Sequence, residues 1–194
     1  MVYDPRDGQR GLRRRDTRLP AIALVFLGVL ALAGCASTQP SLVVVDEVDL
    51  DRYLGKWYEI ASFPQWFQRG CVATTANYSR IPDGRIGELN ECRDCSFDGE
   101  LRRNEGVAWV ADEGGSLAKL KVQFFWPFRG DYWIIDLDPE YRYAAVGHPS
   151  RNYLWILART PNLDPVSHQE LSARLEAQGY DLSRLRRTPQ PPSR

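Results

Sequence analysis

The chain has 194 residues, 25 basic and 25 acidic, so its formal net charge at neutral pH is zero. With no basic stripe, it lacks the electrostatic footprint of a nucleic-acid-binding domain. Its length suits one domain with a sizeable core, and its six tryptophans supply ample aromatic surface.

Taken in chain order, the first feature is a processing signal. Six arginines (Arg6, Arg10, Arg13, Arg14, Arg15 and Arg18) precede an uncharged run from Leu19 to Ala33, which ends in Leu32-Ala33-Gly34-Cys35. A basic segment, an apolar run and a small-residue cleavage point form a bacterial export signal. Cysteine directly after Leu-Ala-Gly resembles a lipobox, whose processing acylates the cysteine and cuts before it. The run is shorter than the ~20 apolar residues of a membrane span. Residues 1–34 are expected to be removed, with Cys35 as lipid anchor and residues 35–48 as an acylated tether. Export leaves Cys71, Cys92 and Cys95 in an oxidising compartment, where three thiols permit one disulfide and one leftover.

Ala36 to Asp46 reads as a tether rather than a packed element. Short apolar runs then alternate with turn signals. Strands are predicted near Trp57–Phe63, Cys71–Ser79, Arg85–Glu91, Gly106–Ala111, Leu117–Phe125, Asp131–Leu137, Tyr141–Gly147 and Tyr153–Arg159. Pro82-Asp83-Gly84, Gly114-Gly115, Asp138-Pro139-Glu140 and His148-Pro149-Ser150 supply turn chemistry between them. Eight evenly spaced strands with short connections point to an all-β antiparallel barrel or sandwich. One helix follows, with Asp164 as N-cap, Pro165 at its first position and Gly179 past its end. Residues 49–180 form the domain. Residues 181–194 read as a basic, Pro-rich and partly disordered tail, with room for one more edge strand. Along one strand Leu120, Val122 and Phe124 share a face opposite Lys119, Lys121 and Gln123, which fits a sheet with one solvated side. Tyr153, Trp155 and Leu157 share a face on another.

At Gly55-Lys56-Trp57-Tyr58-Glu59-Ile60-Ala61 the chain resembles a lipocalin. Two more landmarks of that family recur in order: Asp138-Pro139-Glu140-Tyr141, and Tyr153-Leu154-Trp155-Ile156-Leu157-Ala158-Arg159-Thr160-Pro161. The resemblance covers about residues 49–180 and is strongest to bacterial outer-membrane, apolipoprotein D-like members. It implies an eight-stranded antiparallel up-and-down β-barrel with one C-terminal helix packed outside. Gly55, Trp57 and Arg159 would close the narrow end, the arginine lying over the indole.

Up-and-down order then puts Pro64–Gly70, Cys92–Glu105, Trp126–Gly130 and His148–Asn152 at the open mouth. Trp66-Phe67 and Phe125-Trp126-Pro127-Phe128 make that mouth apolar, as a binding or membrane-contact surface would be; a lid and a homodimer seam are the other roles such rings admit. An apolar cavity lined by Val107, Trp109, Leu120, Val122, Phe124, Tyr132, Tyr153 and Trp155, with Trp66 and Phe67 at its entrance, is the expected ligand site. Glu59 shares parity with Trp57 and points inward, either orienting a ligand head group or meeting a buried polar partner.

Related bacterial lipocalins carry cysteines at places similar to Cys71 and Cys92, which favours that disulfide. Hairpin register leaves Cys95 nearly as well placed opposite Cys71. A zinc site from these cysteines and His148 lacks the tight paired spacing of structural sites, and neither metal nor cofactor is expected. No nucleophile is visibly paired with a base, which argues against catalysis except through the leftover thiol. The resemblance implies a lipid-anchored outer-membrane carrier of fatty acid, lysophospholipid or phospholipid, for envelope lipid transport, storage or maintenance. The alternatives are a carrier of a carotenoid, sterol or haem-like ring, a thiol enzyme acting on lipids, and a structural protein with a filled barrel.

Overall fold

The computed structural model describes residues 40–112 and 114–192; the export signal and Cys35 lie outside the described residues. Asp49 opens the fold by capping a single helical turn, α1 (Leu50–Tyr53), its carboxylate accepting from the amides of Asp51 and Arg52. Eight antiparallel strands follow: β1 (Gly55–Ser62), β2 (Cys71–Arg80), β3 (Ile86–Asp94), β4 (Leu101–Val110), β5 (Lys119–Phe125), β6 (Phe128–Leu137), β7 (Tyr143–Gly147) and β8 (Leu154–Ala158). Each pairs with its sequence neighbour, and β1 pairs with both β8 and β2, so the sheet closes into an eight-stranded barrel.

The helix α2 (Pro165–Ala177) lies outside the barrel. It starts where Asp164 accepts from the Ser167 amide at 2.9 Å, and it ends before Gly179, whose φ of +86° is a left-handed conformation that glycine adopts without strain. Leu171 and Leu175 are fully buried against Ile135, Ala145, Leu154 and Ile156 on the outer face of the barrel. Each such side chain contributes ~1.5–3 kcal/mol by leaving water. A separate cluster inside the barrel gathers Trp57, Ala76, Tyr78, Ile86, Leu120, Tyr132, Val146 and Leu157.

A bulge in β1 between Glu59 and Ala61 divides these two cores. Trp57 packs inside, while Ile60, Ala61 and Phe63 join the cluster under the helix. The bulge also frees β1 from β2 beyond Tyr58. A ninth short strand, β9 (Arg186–Arg187), occupies that seam, pairing with Ser62 and Ala61. The Thr188 amide then donates to the Ile60 carbonyl, and the Ala73 amide to the Pro189 carbonyl.

Three segments depart from the expectations. The C-terminal stretch takes the edge-strand form for which the sequence left room and is not a loose tail, because Thr188 is buried and the backbone of Thr188 and Pro189 is bonded on both sides of the seam. Residues 40–48 are packed chain rather than free tether: Leu42 and Val48 are buried, and the Val45 amide donates to the Ile134 carbonyl. The segment expected to be a loop from Cys92 to Glu105 is largely ladder, since β3 and β4 pair from Ile86↔Ala108 out to Arg93↔Leu101.

Candidate functional site

The interior is built in layers from the closed end. Trp57 is fully buried, its Nε1 donating to the Tyr53 carbonyl at 2.8 Å. The Arg159 guanidinium lies 3.8 Å above its ring and donates to the carbonyls of Lys56 and Arg52. One cation thus caps both the indole and the backbone between α1 and β1. Above this floor the hydroxyls of Tyr53 and Tyr78 both bond that of Tyr132, at 2.9 and 2.8 Å. Burial raises the pKa of all three phenols, so they stay neutral in the physiological range.

Two buried carboxyls border this layer, Glu88 level with Tyr78 on the neighbouring strand and Glu59 further toward the mouth. Glu88 is buried opposite Gly106 and Tyr78; its Oε1 accepts from Asn90 Nδ2 at 2.9 Å and its Oε2 has no partner among the described residues. Burial pushes its pKa from 4.5 up to about 7, opposed by the Asn90 bond. Glu59 is buried too, but both its oxygens are occupied. Ser62 Oγ and Thr188 Oγ1 donate to Oε1, and Gln68 Nε2 donates to Oε2 at 2.8 Å. Gln68 also accepts from Trp155 Nε1 at 3.1 Å, so this one side chain bridges the neighbouring strands β1 and β8 at the barrel's upper end.

Leu120 and Tyr132 are buried in the inner cluster, and Val122 and Trp155 pack against it. Phe124 lies against Gly106 so closely that a Cβ there would stand 2.7 Å from its ring. Tyr153 stacks on Trp155 at 6.0 Å with the rings 17° from parallel. Val107 and Trp109 are a correction: neither faces the cavity. Their neighbours Ala108 and Val110 point inward, while Trp109 pairs with Lys121 on the outer face and carries the Arg129 guanidinium over its ring. The interior takes the small residues of β4 because Phe124 and Val122 already fill the space facing them.

At the mouth the rings turn outward. Trp66 is 80% exposed, Trp126 83%, Phe128 73% and Phe125 61%, so they do not form an inward lid. Trp66 and Phe67 sit on a 3₁₀ turn, Trp66–Gln68, edge to face with one another. Arg102 holds this loop by donating to the Phe67 and Arg69 carbonyls at 3.0 and 2.9 Å. The disulfide joins Cys71 to Cys92, the first of the two pairings left open, and Cys95 is free and exposed. A cavity of about 390 Å³ opens between this loop, β1 and the C-terminal strand, with Glu59 and Ser62 among its lining residues.

Sequence reasoning missed Glu88, Tyr53, Tyr78, Gln68 and Thr188. For the first and third a signal existed, since Glu88 shares parity with Ile86, and Tyr78 with Ala76. Gln68 and Thr188 carried none, because Gln68 lies in a loop and bridges to Trp155, and Thr188 reaches Glu59, over long sequence separations.

Comparison with known proteins agrees with this geometry. Residues 48–190 match the model of a lipocalin-like domain. This chain belongs to the lipocalin family. The lipocalin is 43% identical to temperature-induced lipocalin-1 of Arabidopsis thaliana, over 76% of this chain and 82% of that protein. It is 40% identical to the outer membrane lipoprotein Blc of Escherichia coli K12, over 90% of this chain and 98% of the relative. Mouse apolipoprotein D is 35% identical over 78% and 82% of the two chains. Among solved structures, insecticyanin from the tobacco hornworm Manduca sexta superposes with a TM-score of 0.60 at 20% identity, covering 77% of the lipocalin and 84% of insecticyanin.

Proposed function

We propose that this lipocalin is a lipid-anchored protein of the bacterial outer membrane. It would bind a single-chain amphiphile, a fatty acid or lysophospholipid, in the mouth half of its barrel and exchange it with the membrane. The observation that carries this reading is the mouth itself. Four large rings stand exposed at the mouth, Trp66 in the β1–β2 connection and Phe125, Trp126 and Phe128 at the β5–β6 turn across from it, above an interior whose lower half is closed by the tyrosine layer. Exposed aromatics of this density mark a surface that meets lipid or ligand.

The path of the N-terminal segment supports the membrane role. From α1 at the closed end it runs back along the barrel. Pro40 lies at the mouth, where its carbonyl accepts from Arg151 Nη2 at 2.6 Å in the β7–β8 connection. Cys35 precedes Pro40 by five positions. The names of the bacterial relatives, outer membrane lipoproteins, agree with an anchored envelope protein. Each acyl methylene buried in the interior would contribute ~0.8 kcal/mol to binding.

Trp155, half-buried at the upper end of the interior, is the natural reporter. Titration with a lysophospholipid should change tryptophan emission saturably at one ligand per chain. Absence of binding by both fatty acid and lysophospholipid would contradict the proposal.

A further inference from the structure

The cavity between the first loop and β9 carries a charge that acyl burial does not require. Arg69 lines it from the loop, and Arg186 and Arg187 line it from the C-terminal strand. None of these three guanidiniums has a carboxylate within ion-pair distance among the described residues. Elsewhere Arg80, Arg85, Arg102, Arg103 and Arg142, and Arg174 on α2, are each paired with a carboxylate, while Arg52, Arg93, Arg129, Arg151, Arg159 and Arg184 are engaged by carbonyls or aromatic rings. The cavity's own carboxylate, Glu59, is turned to other work: both oxygens are taken by Ser62, Thr188 and Gln68.

The backbone beneath the cations is fixed. β9 holds Arg186 and Arg187 in register with Ser62 and Ala61; Arg186 turns its Nη1 to the carbonyls of Ser183 and Leu185 at 2.8 and 3.0 Å, which leaves Arg69 and Arg187 as the cations open to a ligand. Arg69 sits on the loop pinned by Arg102. Trp66 adds an apolar wall, and Glu59, Ser62 and Gln68 line the cavity from the barrel side. At about 390 Å³ the space falls within the ~300–1,000 Å³ of small-molecule sites.

We propose that this cavity is an anion site that takes the phosphate or carboxylate head group of the bound amphiphile. Planar guanidiniums fit such groups through paired N–H donors, and each charge-assisted contact is stronger than a neutral one. This assignment rests on the carrier reading above and adds the head-group class to it.

The test uses two ligands with one acyl chain, 1-oleoyl lysophosphatidic acid and 1-monooleoylglycerol, titrated into the whole mature protein. Wild type should prefer the phosphate-bearing lipid by about tenfold or more, the effect of one or two charge-assisted bonds. In the double variant Arg69→Gln/Arg187→Gln that preference should fall to near parity, with an unchanged melting temperature showing that the barrel is intact. Equal affinities in wild type, or a preference that survives in the variant, would overturn the anion site and leave the carrier reading standing. If neither lipid binds, the carrier reading fails, and calorimetry with inorganic phosphate decides the site alone. Phosphate binding lost in the variant would identify a free-anion site of the same chemistry, and no phosphate binding would overturn it.

Discussion

Glu88 gives the sharpest test of the interior. One of its oxygens is bonded to Asn90 and the other is buried without a partner. Burial raises its pKa from 4.5 to about 7. A carboxyl that holds its proton more tightly in the folded state favours folding fully below the unfolded value. The advantage then fades as pH rises through the interval up to about 7. At 1.36 kcal/mol per unit, the loss is on the order of 3 kcal/mol. Glu88→Gln removes the titration. The extra unpartnered amide costs about 1–3 kcal/mol at every pH, and therefore cancels from a comparison between two pH values. Thermal unfolding of wild type and variant at about pH 4 and pH 8 should show the variant gaining on wild type by about 6–12 °C between the two. A difference in melting temperature that does not move with pH, or that favours the variant in acid, would refute the buried-carboxyl account.

Other parts of the fold yield separate predictions. Arg159→Ala should destabilise the barrel by about 2–4 kcal/mol, because it removes the stacking on Trp57 and the bonds to the Lys56 and Arg52 carbonyls; Arg159→Lys should recover part of this in denaturant unfolding. The Arg142 guanidinium and the amides of Glu140 and Arg142 hold the buried Asp138 carboxyl below its usual pKa. Asp138→Asn should therefore lower stability at neutral pH, and its difference from wild type should shrink as pH falls below the ordinary carboxylate range, the window where that contribution is lost. Removing residues 188–194 deletes the acceptor for the Ala73 amide, whose hydrogen exchange should speed by about tenfold or more. Reducing Cys71–Cys92 opens a link across a sequence separation of 21 and should cost ~3 kcal/mol of unfolding free energy.

Local chemistry was legible in the sequence. Asp164, Pro165 and Gly179 delimit α2 because capping depends on residues next to one another. Leu120 and Val122 mark the inner face of β5 because their neighbours Lys119 and Lys121 are charged. Legibility failed where both faces of a strand are wet. Arg102, Arg103, Asn104 and Glu105 extend β4 to the rim with no apolar alternation to reveal it. It failed again on β4 at Val107 and Trp109, where apolar character suggested the cavity but Gly106 and Ala108 are what the packing inside admits. The edge strand for which the C-terminal segment left room is present, but where it docks was not legible, for a different reason. Its composition, basic and rich in proline, is that of a tail, and only its contacts with Ile60, Ala73 and Glu59 make it part of the barrel.

In the proposed function the mouth half of the barrel holds a membrane-derived amphiphile. Native mass spectrometry of the protein purified from membranes, before and after lipid extraction, tests it most directly. One single-chain lipid bound per chain, removed by extraction and regained on adding lysophospholipid, is the predicted result. A bare protein that takes up neither fatty acid nor lysophospholipid would contradict it.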